Sequence, residues 1–355
     1  MASASKSKTE RVETRPGVLR AAAERRVLPQ MQGSGRIAFK AIPALIDTYV
    51  ERVHMAFQAV GKPCDQRQLD QLRAALEKQL GEAFAASPQS WIVVDYQTDD
   101  PPKETLSYVV DKRIVSLAQE YQDWVEAAGP GPLFGKYPDA KVMDVASTLG
   151  APPDAPVLDV GAGTGRNSLA LARAGHPVTV LELSPRVLEI LRKEHAQAGL
   201  PVDAIEGDVL DARVALPSGF RLVVLSEVLS NFVDRQQLRT MFGRMTAALA
   251  PGGTLLLNCF LAHPSYTPDR VARDVSRAYG CAVFTRSELA EAVQGSDLEL
   301  MTDESARDYE KEHLPPDRWP PTTWFDGWSQ GRDVFRLEDG KSPVEMRWLT
   351  YRKRD

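Results

Sequence analysis

The stretch VLDVGAGTGRNSLALARAGHPVTVLELSP, residues 157–185, decides the fold of this chain. An apolar run ends at Asp159-Val160, and the glycine-rich turn 161–165 follows at once. An amphipathic stretch then continues to Ala174, before a second apolar run at 178–181. A strand, a tight turn, a helix and another strand in this order form a βαβ unit, in which the two strands are parallel.

The turn after the first strand has a spacing that distinguishes between classes of ligand. Glycines permit backbone angles and close approaches that side chains forbid, and the start of the following helix offers free N–H groups. The dinucleotide fingerprint places its third glycine three positions after the second, but this chain has Arg166 at that position. An NAD-dependent oxidoreductase is therefore disfavoured.

The alternation of strands and helices continues beyond this unit. Strands are predicted at 204–206, 222–226 and 254–259, with a helix ending near Leu249 between the last two. A helix after Ser287, a strand near 298–301, an insert at about 303–343 and a last strand near 344–351 complete the pattern. Such alternation predicts an α/β domain with a helix-covered parallel sheet.

The spacing Asp-x-Gly-x-Gly-x-Gly at 159–165 resembles motif I of the class I S-adenosylmethionine (SAM) methyltransferases. The resemblance implies a Rossmann-like, mostly parallel sheet whose last strand is antiparallel, with SAM as cofactor. It implies that Glu182 binds the ribose hydroxyls and that Asp208 contacts the adenine amino group. The full set of implied cofactor-binding residues is Asp159, Gly161, Gly163, Gly165, Glu182, Leu183, Asp208, Val209 and Ser226.

The amino-terminal part of the chain differs in composition from the rest. Residues 1–40 carry a net charge of +6, and the remainder carries −11. Residues 1–35 are predicted to be a flexible basic tail. Residues 36–150 are predicted to be a helical region, serving as a lid or an interface, with helices over 41–84, 106–128 and 140–149 and a short strand or extended segment at 90–96. Residues 151–355 are assigned to the methyltransferase domain.

Composition excludes several classes of function. The net charge of −5 disfavours nucleic-acid partners, and no apolar run approaches the ~20 residues of a membrane span. Three scattered cysteines (Cys64, Cys259 and Cys281) give no disulfide framework and favour a cytoplasmic setting. The five histidines show no metal-ligand spacing, so no metal is expected. A homodimer is left open.

Methyl transfer needs an aligned nucleophile and, for a hydroxyl, a base. Glu227, one residue past the fourth strand of the domain, and His263, beyond the fifth strand, are the catalytic candidates. Tyr266, Tyr309 and His313 are weaker ones. The tryptophans of the insert (Trp319, Trp324 and Trp328) are predicted to form an aromatic flap or a packing cluster, and Tyr121, Trp124 and Phe134 to close the other side of the site.

The residues also narrow the choice of acceptor. Residues 282–293 loosely resemble the tellurite-resistance-type methyltransferases, whose acceptors are small. Ser226-Glu227-Val228-Leu229 stands where methyltransferases of exocyclic or amide nitrogen have an Asn/Asp-Pro-Pro-Tyr/Phe motif. The prediction is a SAM-dependent methyltransferase (EC 2.1.1.-) of a small, partly apolar molecule at O, N, S or C. Protein or peptide methylation, with the amino-terminal region as docking surface, and a non-catalytic scaffold are the alternatives.

Overall fold

The structure is a computed structural model that describes residues 12–100, 103, 105–127 and 135–355. The described residues fall into two compact units, one within 1–85 and 91–113 and the other within 86–90 and 114–355. The predicted basic tail lies outside the described residues over 1–11. Its described part contains the helix α1 (Pro16–Val27), in which no residue is buried.

The first unit contains an antiparallel three-stranded sheet. Its strands, in the order β1-β2-β3, are β1 (Ser34–Lys40), β2 (Trp91–Thr98) and β3 (Leu106–Arg113). The helices α2 (Ile46–Ala59) and α3 (Gln66–Ala86) confirm the prediction of helices over 41–84.

The prediction that residues 36–150 are helical, apart from a short strand or extended segment at 90–96, is wrong in two places. Residues 34–40 form β1, and the first half of the helix expected over 106–128 is strand β3. Val109 and Val110 fit either a helical or an alternating pattern, and β-branched residues favour strands. In the structure Val110 pairs with Val94 and Tyr108 with Tyr96 of β2. Cross-strand pairing therefore prevails over the helical periodicity.

The second unit contains the large sheet that the sequence predicts. Its strand order is β10-β11-β8-β7-β4-β5-β6, with β9 beside β8. Strands β4 to β9 pair in parallel, whereas β11 is antiparallel to β8 and to β10. The predicted Rossmann-like sheet with an antiparallel last strand is confirmed. The strands are β4 (Val157–Val160), β5 (Val178–Glu182), β6 (Asp203–Glu206), β7 (Phe220–Leu225), β8 (Leu249–Ala262), β9 (Val283–Phe284), β10 (Leu298–Ser305) and β11 (Val344–Lys353).

Helices cover both faces of this sheet. Successive residues of a strand point to opposite faces, and Leu158 and Val157 accordingly enter two different apolar clusters. One cluster takes up side chains of α8 and α10, and the other those of α5, α6 and α7. The helices are α4 (Leu117–Ala127), α5 (Ala140–Ser147), α6 (Arg166–Arg173), α7 (Pro185–Gln197), α8 (Arg235–Ala248), α9 (Arg270–Ala278), α10 (Arg286–Val293), α11 (Ala306–His313) and α12 (Phe325–Trp328). Within the described ranges, no helix combines the length and apolar character needed to cross a bilayer.

The insert between β10 and β11 is folded onto this core. In the insert, the ring of Trp328 lies edge-on to that of Phe260, with 5.0 Å between the ring centroids. Trp319 packs against the apolar cluster that contains Phe260. Trp324 is 41% exposed and contacts the ring of Trp328 edge-on. The packing alternative is therefore borne out for Trp319 and Trp328, and an aromatic flap stays a prediction for Trp324.

Candidate active site

The predicted site residues gather at one edge of the large sheet. Strands β4 to β7 run parallel, so their carboxyl ends lie at the same edge, and ligands of open α/β sheets bind there. Asp159 and Glu182 lie at the ends of β4 and β5. Asp208 and Ser226 follow the ends of β6 and β7.

The glycine turn between β4 and α6 has the backbone that the sequence requires. Gly161, Gly163 and Gly165 have φ angles of 66°, 56° and 97°, in the region that favours glycine. A Cβ at Gly161 would lie only 2.5 Å from Cγ2 of Val228. The Gly161 N–H donates to the carbonyl of Leu181 at 2.7 Å, which ties the turn to β5.

Glu182 lies between this turn and the start of α7. Its Oε2 accepts the N–H of Gly163 and its Oε1 the N–H of Ser184, both at 2.9 Å. Burial raises the pKa of Glu182, and these N–H groups and that of Leu183 oppose the rise. A carboxylate oxygen has more than one lone pair, so both oxygens can still accept hydrogen bonds from a ligand.

Two further acids of the predicted site differ in their exposure to solvent. Asp208 is exposed, with its Oδ1 accepting the N–H of Leu210 at 2.8 Å, and Val209 beside it is buried. Asp159 is 2% exposed, and burial raises its pKa to about 7. Its Oδ2 has no hydrogen-bond partner among the described residues. A buried oxygen without a partner is costly, so this atom marks a place for a ligand donor or a water.

Glu227 and Ser226 form the tip of β7, where the backbone turns sharply. Glu227 has a φ of 64°, and among the described residues it alone has a positive φ without being glycine. Such angles store strain and occur often at functional sites. Asn258 of β8 stabilises this turn, because its Oδ1 accepts the Glu227 N–H at 2.6 Å.

Arg166 joins these residues in a buried charge network that the sequence did not predict. Its guanidinium forms an ion pair with Asp139 and donates to Glu227 Oε1 at 2.9 Å and to Ser226 Oγ at 3.1 Å. Ser226 Oγ donates in turn to Asp139 Oδ2 at 2.7 Å. Burial raises the pKa of Glu227 to about 7, an effect that Arg166 opposes and Asp139 reinforces.

The sequence carried a signal for only part of this network. Arg166 was visible as a departure from the dinucleotide fingerprint, and Asn258 as a polar residue in a strand that is otherwise apolar. Asp139 lay in a loop rich in proline and glycine, and nothing in its neighbourhood indicated a partner in the site.

Comparison with known proteins agrees with this geometry. A family model described as a methyltransferase domain matches residues 157–253. A ubiquinone biosynthesis O-methyltransferase of Xanthomonas campestris pv. campestris (strain B100) is 30% identical over 165 residues, which are 46% of this chain and 67% of that protein. The chain belongs to the class I SAM-dependent methyltransferases.

A second relative in sequence and one solved structure are also similar to this chain. A ubiquinone biosynthesis O-methyltransferase of Methylobacterium nodulans is 34% identical over 93 residues, which are 26% of this chain and 36% of that protein. The solved structure of geranyl diphosphate C-methyltransferase from Streptomyces coelicolor A3(2) aligns with a TM-score of 0.47 at 18% identity, covering 60% of this chain and 80% of that one.

The methyltransferase uses SAM as its cofactor and transfers the methyl group to an acceptor. The residues at the sheet edge fit SAM in two respects. The Asp159 Oδ2 lacks a partner within the described part of the chain, which suits a donor group of the ligand. Glu182 presents two buried acceptor oxygens, which suit a diol.

Helix α4 contributes an aromatic residue to the same surroundings. The hydroxyl of Tyr121 accepts the Asn231 Nδ2–H at 3.3 Å. Burial raises the pKa of Tyr121, and the charges of Glu182 and Glu227 raise it further. Trp124 is 46% exposed, and Phe134 lies outside the described residues.

The other catalytic candidates predicted from the sequence contact residues outside the Arg166 network. His263 is exposed, and its Nδ1 lies 2.7 Å from the Ser265 hydroxyl. Tyr309 donates to Asp144 at 2.5 Å and stacks on His313. Tyr266 packs edge-on against Phe335.

Proposed function

We propose that the carboxyl edge of the large sheet binds SAM with the residues predicted from the sequence. They are Asp159, Gly161, Gly163, Gly165, Glu182, Leu183, Asp208, Val209 and Ser226. The observation that supports this most strongly is the position of Glu182, whose two oxygens each hold a backbone N–H beside the glycine turn. The SAM-binding domain is proposed to span 151–355, with α4 and α5 of the same compact unit completing it.

Glu227 is the proposed general base. When bound, SAM supplies a methyl group on a sulfonium sulfur that a nucleophile can displace. Arg166 holds the Oε1 of Glu227, and Glu227 Oε2 accepts no hydrogen bond from the described residues, which leaves it able to receive the proton of an acceptor hydroxyl. A base with a pKa near the working pH is the most effective one, and Glu227 has a pKa of about 7.

His263 is the second candidate for this role. It follows β8 at the same edge of the sheet and is exposed. The backbone N–H of Ser265 donates to its Nδ1, so in this arrangement Nε2 carries the ring proton and cannot take one from an acceptor molecule. The ion pair of Glu227 with the buried Arg166 favours Glu227, because this pair fixes the Glu227 carboxylate beside Ser226. The imidazole of His263 instead hydrogen-bonds to Ser265 of its own loop.

The proposed acceptor is a hydroxyl oxygen of a small, partly apolar molecule. The Xanthomonas and Methylobacterium relatives are named as O-methyltransferases, which supports an oxygen acceptor. The net charge of −5 speaks against a nucleic-acid acceptor. A cytoplasmic location is proposed from the three unpaired cysteines, and a homodimer stays an open prediction.

The acceptor atom can be tested with three probes that share one apolar tail. The chain is incubated with SAM carrying a tritiated methyl group and para-pentylphenol, para-pentylaniline or para-pentylthiophenol, against blanks without enzyme. Enzyme-dependent label in the phenol ether alone is expected. Label that prefers the aniline or the thiophenol would overturn the oxygen assignment. Label in the protein fraction would favour a peptide acceptor, and no label in any fraction would contradict a small phenolic acceptor.

A further inference from the structure

Helix α5 begins beside the active site, and its first turn is capped in an unusual way. Asp139 stands at the N-cap position, where an aspartate ordinarily accepts N–H groups of its own helix. Its side chain makes no such bond. It accepts instead from Arg166, from Asn167 Nδ2 at 2.9 Å and from Ser226 Oγ at 2.7 Å.

A glutamate that is distant in sequence caps this helix instead. Glu310 of α11 accepts the N–H of Ala140 at 2.7 Å through Oε2 and the N–H of Lys141 at 3.2 Å through Oε1. The Trp348 indole N–H also donates to Glu310 Oε1, at 3.1 Å. Glu310 is only 1% exposed to solvent, so it lies in the interior of the protein.

Glu310 therefore accepts the N–H groups that an N-cap residue ordinarily accepts. Asp139, at the N-cap position, accepts hydrogen bonds from the active site instead. Free N–H groups at a helix start need acceptors, and Asp139, at the N-cap position, is placed to supply one if Glu310 is removed. If Asp139 turned to its own helix, Ser226 Oγ would lose an acceptor and Arg166 would lose one of its two ion-pair partners, keeping only Glu227 among the described residues. Arg166 also holds Glu227 at 2.9 Å, so a shift of Arg166 would move the proposed base.

We propose that Glu310 is a positioning residue for methyl transfer, because by capping α5 it leaves Asp139 free to hold Arg166 and Ser226 beside Glu227. The inference rests on the proposed function of Glu227. It gives the insert after β10 a role in the reaction, since α11 lies in that insert. Glu310 acts through Asp139 and Arg166 and touches no reacting atom.

Glu310→Ala tests this role, with Glu304→Gln as the matched control. Glu304 forms an ion pair with the side chain of Lys141, so the control also loosens α5 from the β10–α11 segment but leaves the cap intact. For methyl transfer to para-pentylphenol, Glu310→Ala is expected to lower kcat about a hundredfold, the effect of a displacement of about 1 Å at a reacting group. The Kd for S-adenosylhomocysteine is expected to change much less than kcat, because among the proposed cofactor-binding residues Ser226 is the one that hydrogen-bonds to Asp139 and Arg166. Glu304→Gln is expected to keep the kcat of the parent chain.

A double-mutant cycle separates positioning from a general loss of stability. In an Asp139→Asn background, Glu310→Ala is expected to change kcat less than about threefold, because both substitutions disrupt the same network. If the two substitutions instead lower kcat by factors that multiply, the proposal is overturned. It is also overturned if Glu304→Gln lowers kcat as far as Glu310→Ala does. Glu310→Gln keeps the shape of the side chain and replaces Glu310→Ala in the cycle if that variant does not fold.

A crystal structure of the Glu310 variant separates this inference from the proposed function. The Asp139 carboxylate is expected to turn toward the N–H groups of Lys141 and Val142 and to leave Ser226. An Asp139 that stays on Ser226 and Arg166 would refute the positioning role. If the parent chain methylates none of the probes, the proposed function fails, and this structural result still decides the positioning role.

Discussion

Replacing Glu182 with alanine should weaken cofactor binding by about two orders of magnitude. The carboxylate is 5% exposed, and each of its oxygens holds one backbone N–H and can accept one ribose hydroxyl. Hydrogen bonds to a charged group contribute ~1.5–3 kcal/mol each. Taking the lower value for both gives about 3 kcal/mol, or roughly 150-fold in Kd at 1.4 kcal/mol per tenfold.

Isothermal titration calorimetry with S-adenosylhomocysteine measures this change without an acceptor. Glu182→Gln keeps one acceptor oxygen and should lose affinity by only about tenfold. Glu206→Ala is the matched control, because Glu206 is the register partner of Glu182 on β6 and is exposed. The control should bind as the parent chain does. A Glu182→Ala protein that is well folded and keeps its affinity would refute the ribose assignment.

Three further predictions follow from the site. Glu227→Gln should lower kcat at least about a hundredfold with unchanged S-adenosylhomocysteine affinity, and an unchanged kcat would show that Glu227 is not the base. In the parent chain kcat should rise with pH until Glu227 ionises at about 7 and then level off, because only the carboxylate accepts a proton; a profile that is the same in Glu227→Gln would contradict this. Gly161→Ala should abolish binding, since its Cβ would lie 2.5 Å from Val228, whereas Gly175→Ala, whose Cβ would lie 3.5 Å from Pro152, should retain it.

The sequence determined the large sheet because local patterns and global fold agree there. The run at 157–160 is buried on both faces and is followed by glycines at positive φ, so few other structures were available to it. Glu182 and Ser226 could be placed from their position at strand ends alone, since parallel strands end at one edge. The structure of the first unit was harder to predict, because Val109 and Val110 suit a helix as well as a strand. Pairing with β2 decides in favour of the strand.

The buried network could not be derived in the same way. Ala140 and Glu310 are 170 residues apart, and the contact between them depends on how α11 packs on α5. A glutamate in RDYEKEHLPP has the pattern of a solvated helix, and nothing local indicates that Glu310 is buried. The positive φ of Glu227 is also set by tertiary contacts, including the hydrogen bond from its N–H to Asn258.

A crystal structure of the chain with S-adenosylhomocysteine would test the central claim most directly. The account predicts both ribose hydroxyls within about 2.5–3.2 Å of the Glu182 oxygens. It also predicts that the thioether sulfur faces the tip of β7 at Ser226 and Glu227. A ribose bound away from Glu182, or a sulfur turned away from Glu227, would contradict the assignment of this edge as the site of methyl transfer.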